Sequence, residues 1–145
     1  MALGVLAITV FLVGVIKVVY RVMRGPLEDL IAAQYRPDEI LMQDLKANSF
    51  GVESEGVFQP RGNGGLVLTG NALHFFMFLP RKQVRVPIAA ISEVALTKSH
   101  LGKTTPFDLL KVRFSTDRGP DSIAWYLTDP RAWKAQIEAL KDGGP

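Results

Sequence analysis

The chain has no cysteine among its 145 residues and only two histidines, His74 and His100. The first absence removes disulfide frameworks, thiolate zinc sites and cysteine nucleophiles, and the second leaves too few imidazoles for a histidine metal cluster. Acidic residues are missing before Glu28, so Lys17, Arg21 and Arg24 are the only charges at the N-terminal end. A charge excess is equally missing from the rest, because residues 25–145 carry 14 bases against 14 acids. The formal net charge of +3 therefore belongs to the N-terminal segment. A nucleic-acid-binding domain carries its basic excess on the folded body, so no nucleic-acid partner is expected. With 48% hydrophobic residues the chain is not composed like a disordered one, and its length suits one folded domain.

What is present first is an apolar run. Residues 2–16 contain no charge, and Val18, Val19 and Tyr20 extend the run past Lys17. As a helix, residues 2–20 would be about 28 Å long, close to the roughly 30 Å hydrocarbon thickness of a bilayer. Twelve Leu, Ile, Val and Phe residues in that stretch favour insertion by roughly 4–7 kcal/mol, and Lys17 near the end can snorkel at less than its roughly 3 kcal/mol mid-bilayer cost. A cleaved signal peptide needs positive charge before the run and a small-residue site after it. Here the bases follow the run, at Lys17, Arg21 and Arg24. The segment reads as a transmembrane helix with a basic membrane flank, and the positive-inside rule predicts the N-terminus outside and the C-terminal domain cytoplasmic.

Gly25-Pro26 is expected to break that helix, with Pro26 opening a short second one in which Leu27, Leu30 and Ile31 share a face and which Pro37 ends. Beyond residue 38 the pattern turns to strands. Residues 40–45 suit a strand, and residues 66–69, 72–79, 82–86, 91–98, 109–115 and 121–126 show period-2 alternation between turn residues such as Gly70-Asn71 and Asp117-Arg118. In the run from Lys82, Val84 and Val86 are expected inward. Trp133, Ile137 and Leu140 then recur at helical spacing after Pro130, with Thr128 or Asp129 as cap and Gly143-Gly144-Pro145 as stop. The expectation is a mainly β fold with a C-terminal α-helix. It divides into a transmembrane helix with its flank at 1–24, a linker helix at 25–37 and a β domain at 38–145.

The series Gly64-Gly65-Leu66-x-Leu68-Thr69-x-x-Ala72-Leu73-x-Phe75, then Val86-Pro87-Ile88-x-x-Ile91-x-x-Val94, a glycine at Gly102, and Trp125, Asp129 and Trp133 resembles the GRAM and bacterial pleckstrin-homology-like (PH-like) domains over residues 64–141. The resemblance implies a PH-like barrel of two nearly orthogonal antiparallel sheets capped by the final helix, serving as a non-catalytic binding module for membrane lipid or protein. The family's phosphoinositide site is a basic loop between the first two strands. Here that region holds Glu53 and Glu55 against Arg61 alone, so inositol-phosphate specificity is not carried over.

Bases do accumulate later, eight between residues 61 and 113 against Glu93 and Asp108, while residues 28–55 hold seven acids against Arg36 and Lys46. In one account Arg81, Lys82, Arg85, Lys111 and Arg113 form a patch for an anionic lipid surface, each base adding about 1 kcal/mol before screening. In the other, which the overall neutrality favours, they face the acidic segment. His74, Phe76 and Phe78 alternate with Leu73, Phe75, Met77 and Leu79. That strand is thus apolar on both faces, suiting either core packing or a peptide groove over His74, Phe76 and Phe78. Arg61-Gly62-Asn63-Gly64-Gly65 lacks the Lys-Ser/Thr of a phosphate loop and precedes a strand, so a turn is expected. Ser99-His100 falls in an expected loop without an orienting carboxylate, so no catalytic site, metal or cofactor is expected. The functional expectation is a single-pass membrane protein that presents a binding or scaffold module to lipid head groups or a membrane-associated protein. The alternative is an accessory subunit whose helix packs within a larger membrane complex. No Gly-x-x-x-Gly marks a helix-dimer face, and the sequence leaves the two open.

Overall fold

A computed structural model describes residues 2–143, and the chain divides into two compact units, Met1–Tyr35 and Arg36–Pro145. The first is a single helix, α1 (Ala2–Gln34), 33 residues long and so about 50 Å in length. The break expected at Gly25-Pro26, and with it a separate linker helix, is absent: Pro26 lies inside α1. An interior proline deletes one hydrogen bond and crowds the carbonyl four residues back, at about 3 kcal/mol. Ending the helix there would instead strand four carbonyls on one side and four N–H groups on the other. Residues 4–22 of α1 are all exposed.

The second unit is mainly β. Its strands are β1 (Ile40–Val52), β2 (Gly62–Thr69), β3 (Ala72–Met77), β4 (Lys82–Pro87), β5 (Ile91–His100), β6 (Lys103–Thr116) and β7 (Gly119–Tyr126), followed by helix α2 (Pro130–Lys141). All pair antiparallel in one sheet of order β4-β3-β2-β1-β7-β6-β5. The two separate sheets expected from the family resemblance are therefore not seen as such. What joins the two meanders is β1. Residues 40–49 pair with β2, residues 48–52 pair with β7, and the register slips between Asp44 and Ala47 and between Ser49 and Val52. Such bulges bend a strand and raise its twist, which lets one long strand serve both halves.

Alternation along the strands fills a single main core. Leu66 and Leu68, Leu73 and Phe75, Val86, Val94, Leu110 and Val112, and Ile123 and Trp125 point to it from β2 to β7, and α2 adds Trp133 and Ile137. Val84 packs against the same core beside Val86, as the alternation predicted. Helix α2 starts where expected: Asp129 Oδ1 accepts a hydrogen bond from Ala132 N at 3.1 Å and Pro130 takes the first turn. Leu140 is half-buried, and Gly144 and Pro145, expected to stop the helix, lie outside the described residues.

Two expectations from the glycine and histidine positions are overturned. Gly62–Gly65 is not a turn but the first half of β2. A Cβ at Gly64 would stand 2.0 Å from Phe76 O, and one at Gly62 would stand 2.5 Å from the Met77 side chain. The glycines are there so that β3 can lie close. Residues 99–108 are likewise not a loop but an extension of the β5–β6 hairpin, turned by Leu101 and Gly102, both at positive φ (50° and 75°). A two-residue turn with both φ positive matches the twist of the flanking strands.

Candidate functional site

Exposed apolar surface is concentrated on α1. Phe11 is 71% exposed, and Leu6, Ile8, Val10, Ile16, Val18 and Val22 are comparably open. The helix is long and apolar enough to cross a membrane, its most apolar 18-residue window having a mean hydropathy of 2.2. Its three bases are the predicted Lys17, Arg21 and Arg24, and the Arg24 guanidinium lies 5.1 Å from the Tyr20 ring centre.

The five bases named for anionic-lipid contact fall into two groups in the sheet. Lys82 and Arg85 belong to the edge strand β4, with Arg81 in the turn before it, whereas Lys111 and Arg113 belong to β6, with four strands between them in the sheet order. Lys82 is ion-paired with Glu55, and Arg113 Nε lies 3.4 Å from Glu93 Oε2 on the neighbouring strand. Arg81 and Arg85 are exposed and Lys111 is half-buried. Among the described residues, the Lys82 pair alone links this set to the acidic 28–55 segment. Within the segment Asp38 and Glu39 pair with Arg36, and Asp44 and Glu53 meet neutral donors. Asp44, 7% exposed, accepts from Thr128 N at 2.7 Å and Lys46 N at 2.8 Å, and Glu53 Oε2 accepts from Ser122 Oγ at 2.5 Å.

The aromatic face of β3 is closed. His74 and Phe76 are buried and stack with ring centres 3.9 Å apart, and His74 Nε2 lies 2.9 Å from Gln83 Oε1. Phe78, half-buried, lies just past the strand, its N–H donating to Asn63 O at 2.9 Å. Burial pushes the His74 imidazole below its ordinary range. The Gln83 hydrogen bond opposes that shift and the Arg85 charge adds to it.

Three features escaped the sequence reading. The β5–β6 hairpin folds back over the outer face of the sheet, where His100 Nε2 donates to Gly51 O at 2.9 Å and Lys103 Nζ to Phe50 O at 3.3 Å. Phe50, Leu109 and Ala124 make a second small apolar cluster there. His100 is 3% exposed, and its Nδ1 is buried without a hydrogen-bond partner. Burial lowers its pKa, the Gly51 bond and the Glu53 charge oppose the shift, and Lys111 and Lys103 reinforce it. The second feature is a pair of apolar tips at one end of the sheet: Phe58 in the β1–β2 connection is 99% exposed and Leu79 in the β3–β4 turn 76% exposed. The third is a cleft of about 400 Å³ between the β2–β3 turn (Gly70, Asn71), Ile88 and Ile91, and the end of α2 at Leu140 and Lys141. Among the described residues no group of three or more Asp, Glu or His side chains is placed to hold a metal ion.

No protein-family model and no curated protein sequence matches the chain. Solved structures do resemble it. A chain of the 8S snRNP assembly intermediate superimposes with a TM-score of 0.59 at 7% identity, covering 76% of this chain and 87% of its own length. The C-terminal domain of an unknown protein from Leishmania infantum gives a TM-score of 0.50 at 16% identity, covering 86% and 97%. At such identities the likeness is one of fold.

Proposed function

We propose that the chain is a single-pass membrane protein whose α1 lies in the bilayer with its N-terminus outside, and whose β unit is a PH-like binding module in the cytoplasm, non-catalytic and held near the inner leaflet. The observation that carries this reading is the exposed, uncharged apolar surface of residues 4–16, extended by Val18, Val19 and Val22, with Lys17, Arg21 and Arg24 confined to its C-terminal end. Surface of that extent is costly in water and matches hydrocarbon in length, while the bases match the side on which positive charge is retained.

For the barrel, the support is that the Phe75 and Trp125 rings lie 6.1 Å apart although β3 and β7 are separated by β2 and β1. In a flat sheet three strand spacings would put them about 14 Å apart. A sheet curled at β1, with its β2–β4 and β5–β7 halves facing each other under α2, accounts for the approach and for the single core. Binding in place of chemistry is supported by the surface inventory: Lys82 and Arg113 held in ion pairs, both histidines buried, and apolar tips exposed at Phe58 and Leu79. Tethering then works through effective concentration, since a module confined beside the bilayer engages weak head-group or protein contacts that would not hold in solution.

The test is a pair of C-terminal fusions, one reporter active only in the cytoplasm and one active only outside it. Activity of the first alone is expected. Activity of the second alone would overturn the orientation, and with it the assignment of the β unit to the inner leaflet.

A further inference from the structure

The cations of α1 are not scattered around its circumference. At 100° per residue, Lys17, Arg21 and Arg24 fall within an arc of about 60°, and Tyr20 flanks it. Val15, Val18, Val19 and Val22 occupy the other side and are exposed. On the cationic side there is an open cleft of about 380 Å³ lined by Lys17, Tyr20, Arg21 and Arg24, with Glu28 also in its lining. Arg24 lies against the Tyr20 ring, and its Nε is shut off from solvent and meets no hydrogen-bond acceptor. Arginine presents several donors in a fixed fork, and this Nε donor is buried with no acceptor among the described residues.

The depth of these groups points to their complement. From Lys17 to Arg24 the helix advances about 10 Å, and the stripe begins where the apolar run ends. The head-group layer on one side of a bilayer is about 5–7 Å thick, and basic side chains reach along the helix toward it. A stripe of three cations at that level, with an unsatisfied guanidinium donor, matches a phosphate group carrying net negative charge. On the reading that α1 spans the membrane, we infer that the Lys17–Arg21–Arg24 face is a binding site for an anionic phospholipid. The phosphate lies along the three cations, the Arg24 fork donates to it, and Tyr20 holds the guanidinium in place. Glu28, one turn further on, limits the site on the aqueous side and disfavours a second anion. The site belongs to the helix and does not involve the β unit's own bases.

The experiment uses the full chain reconstituted into phosphatidylcholine bilayers containing a minor fraction of spin-labelled phosphatidylglycerol or, in parallel, spin-labelled phosphatidylcholine. The motionally restricted fraction of each is measured at near-physiological salt. The wild type is expected to restrict the anionic lipid in preference, and an excess of soluble inorganic phosphate is expected to leave that preference in place. Lys17→Gln/Arg21→Gln/Arg24→Gln should abolish it, with a loss of about fivefold in relative association per base, the equivalent of roughly 1 kcal/mol each. Because removing all three charges can disturb insertion, a second variant, Arg21→Val/Val22→Arg, keeps the charge count and moves one cation by 100° around the helix. It should lose about fivefold. Equal restriction of both lipids by the wild type, an unchanged preference in the relocated variant, or displacement by soluble phosphate would each overturn the inference, as would a preference lost only on Arg81→Gln/Arg85→Gln. A preference replaced by stable capture of a partner helix bearing acidic residues would overturn it in favour of a protein ligand. Failure of the wild type to enter the bilayer at all would instead sink the membrane-spanning reading, so the two failures are distinct.

Discussion

Removing the carboxylate of Asp44 should cost more than any other single change to a polar side chain in the β unit. Asp44 is nearly buried, and each of its oxygens accepts one backbone N–H, Oδ2 from Thr128 at 2.7 Å and Oδ1 from Lys46 at 2.8 Å. The first bond joins the bulged stretch of β1 to the residue just before the cap of α2, and the second fixes the bulge itself. A hydrogen bond to a charged group is worth about 1.5–3 kcal/mol, and truncation leaves both donors unmatched. Asp44→Ala is therefore expected to cost about 3–5 kcal/mol, against the roughly 5–15 kcal/mol total of a domain this size. Asp44→Asn keeps one acceptor and turns an amide toward the other N–H, so about half that loss is expected. The two tryptophans, Trp125 and Trp133, both lie in the β unit's core, so their fluorescence during urea unfolding of the full chain in detergent reports this unit alone. A midpoint shift equivalent to less than about 0.5 kcal/mol for Asp44→Ala would refute the reasoning, because surface substitutions away from such features commonly lie within that range.

Gly64→Ala should destabilise β2–β3 pairing by about 1–3 kcal/mol or more, since the new methyl would meet the Phe76 carbonyl. The same urea titration measures it, and Gly70→Ala, where nothing lies within 4 Å of the added carbon, serves as the near-neutral comparison. Stability should also fall on acidification. Both His74 and His100 are held below the ordinary imidazole range, so the folded state stays neutral while the unfolded chain takes up protons below about pH 6.5. The stabilising preference for the neutral form is complete above that pH and is lost as pH drops toward the folded values. His100→Gln should flatten part of that slope, and His74→Gln/His100→Gln should remove most of it. An unaltered slope in the double variant would contradict the assignment.

Much of the fold was legible because hydrophobic alternation is a local property. The inward set at Val84 and Val86, the strands from Leu66 onward and the stripe of Trp133 and Ile137 all follow from periods of 2 and 3.6. What failed was read from residue types whose meaning depends on neighbours far away in sequence. The glycines of 62–65 look like a turn until β3 is laid beside them. His100 looks like a loop residue until the hairpin folds over Gly51. Pro26 looks like a stop until the cost of ending the helix is set against one missing hydrogen bond. The surface was less legible still. Phe58 and Leu79 are ordinary apolar residues in sequence, and only the connections that carry them leave them in the open. Arg81, Lys82 and Arg85 at β4 and Lys111 and Arg113 on β6 look like one group in composition, yet strand order separates them. Lys17, Arg21 and Arg24 could be found from sequence, but their alignment on one face acquires meaning only if the helix continues through them.

The central claim is that α1 resides in hydrocarbon. Expressing the full chain, isolating membranes and washing them with alkaline carbonate tests it most directly, because that treatment strips peripheral proteins and leaves spanning helices embedded. The account predicts that the chain stays with the membrane pellet and is released only by detergent. Recovery of the intact chain in the carbonate supernatant would contradict it.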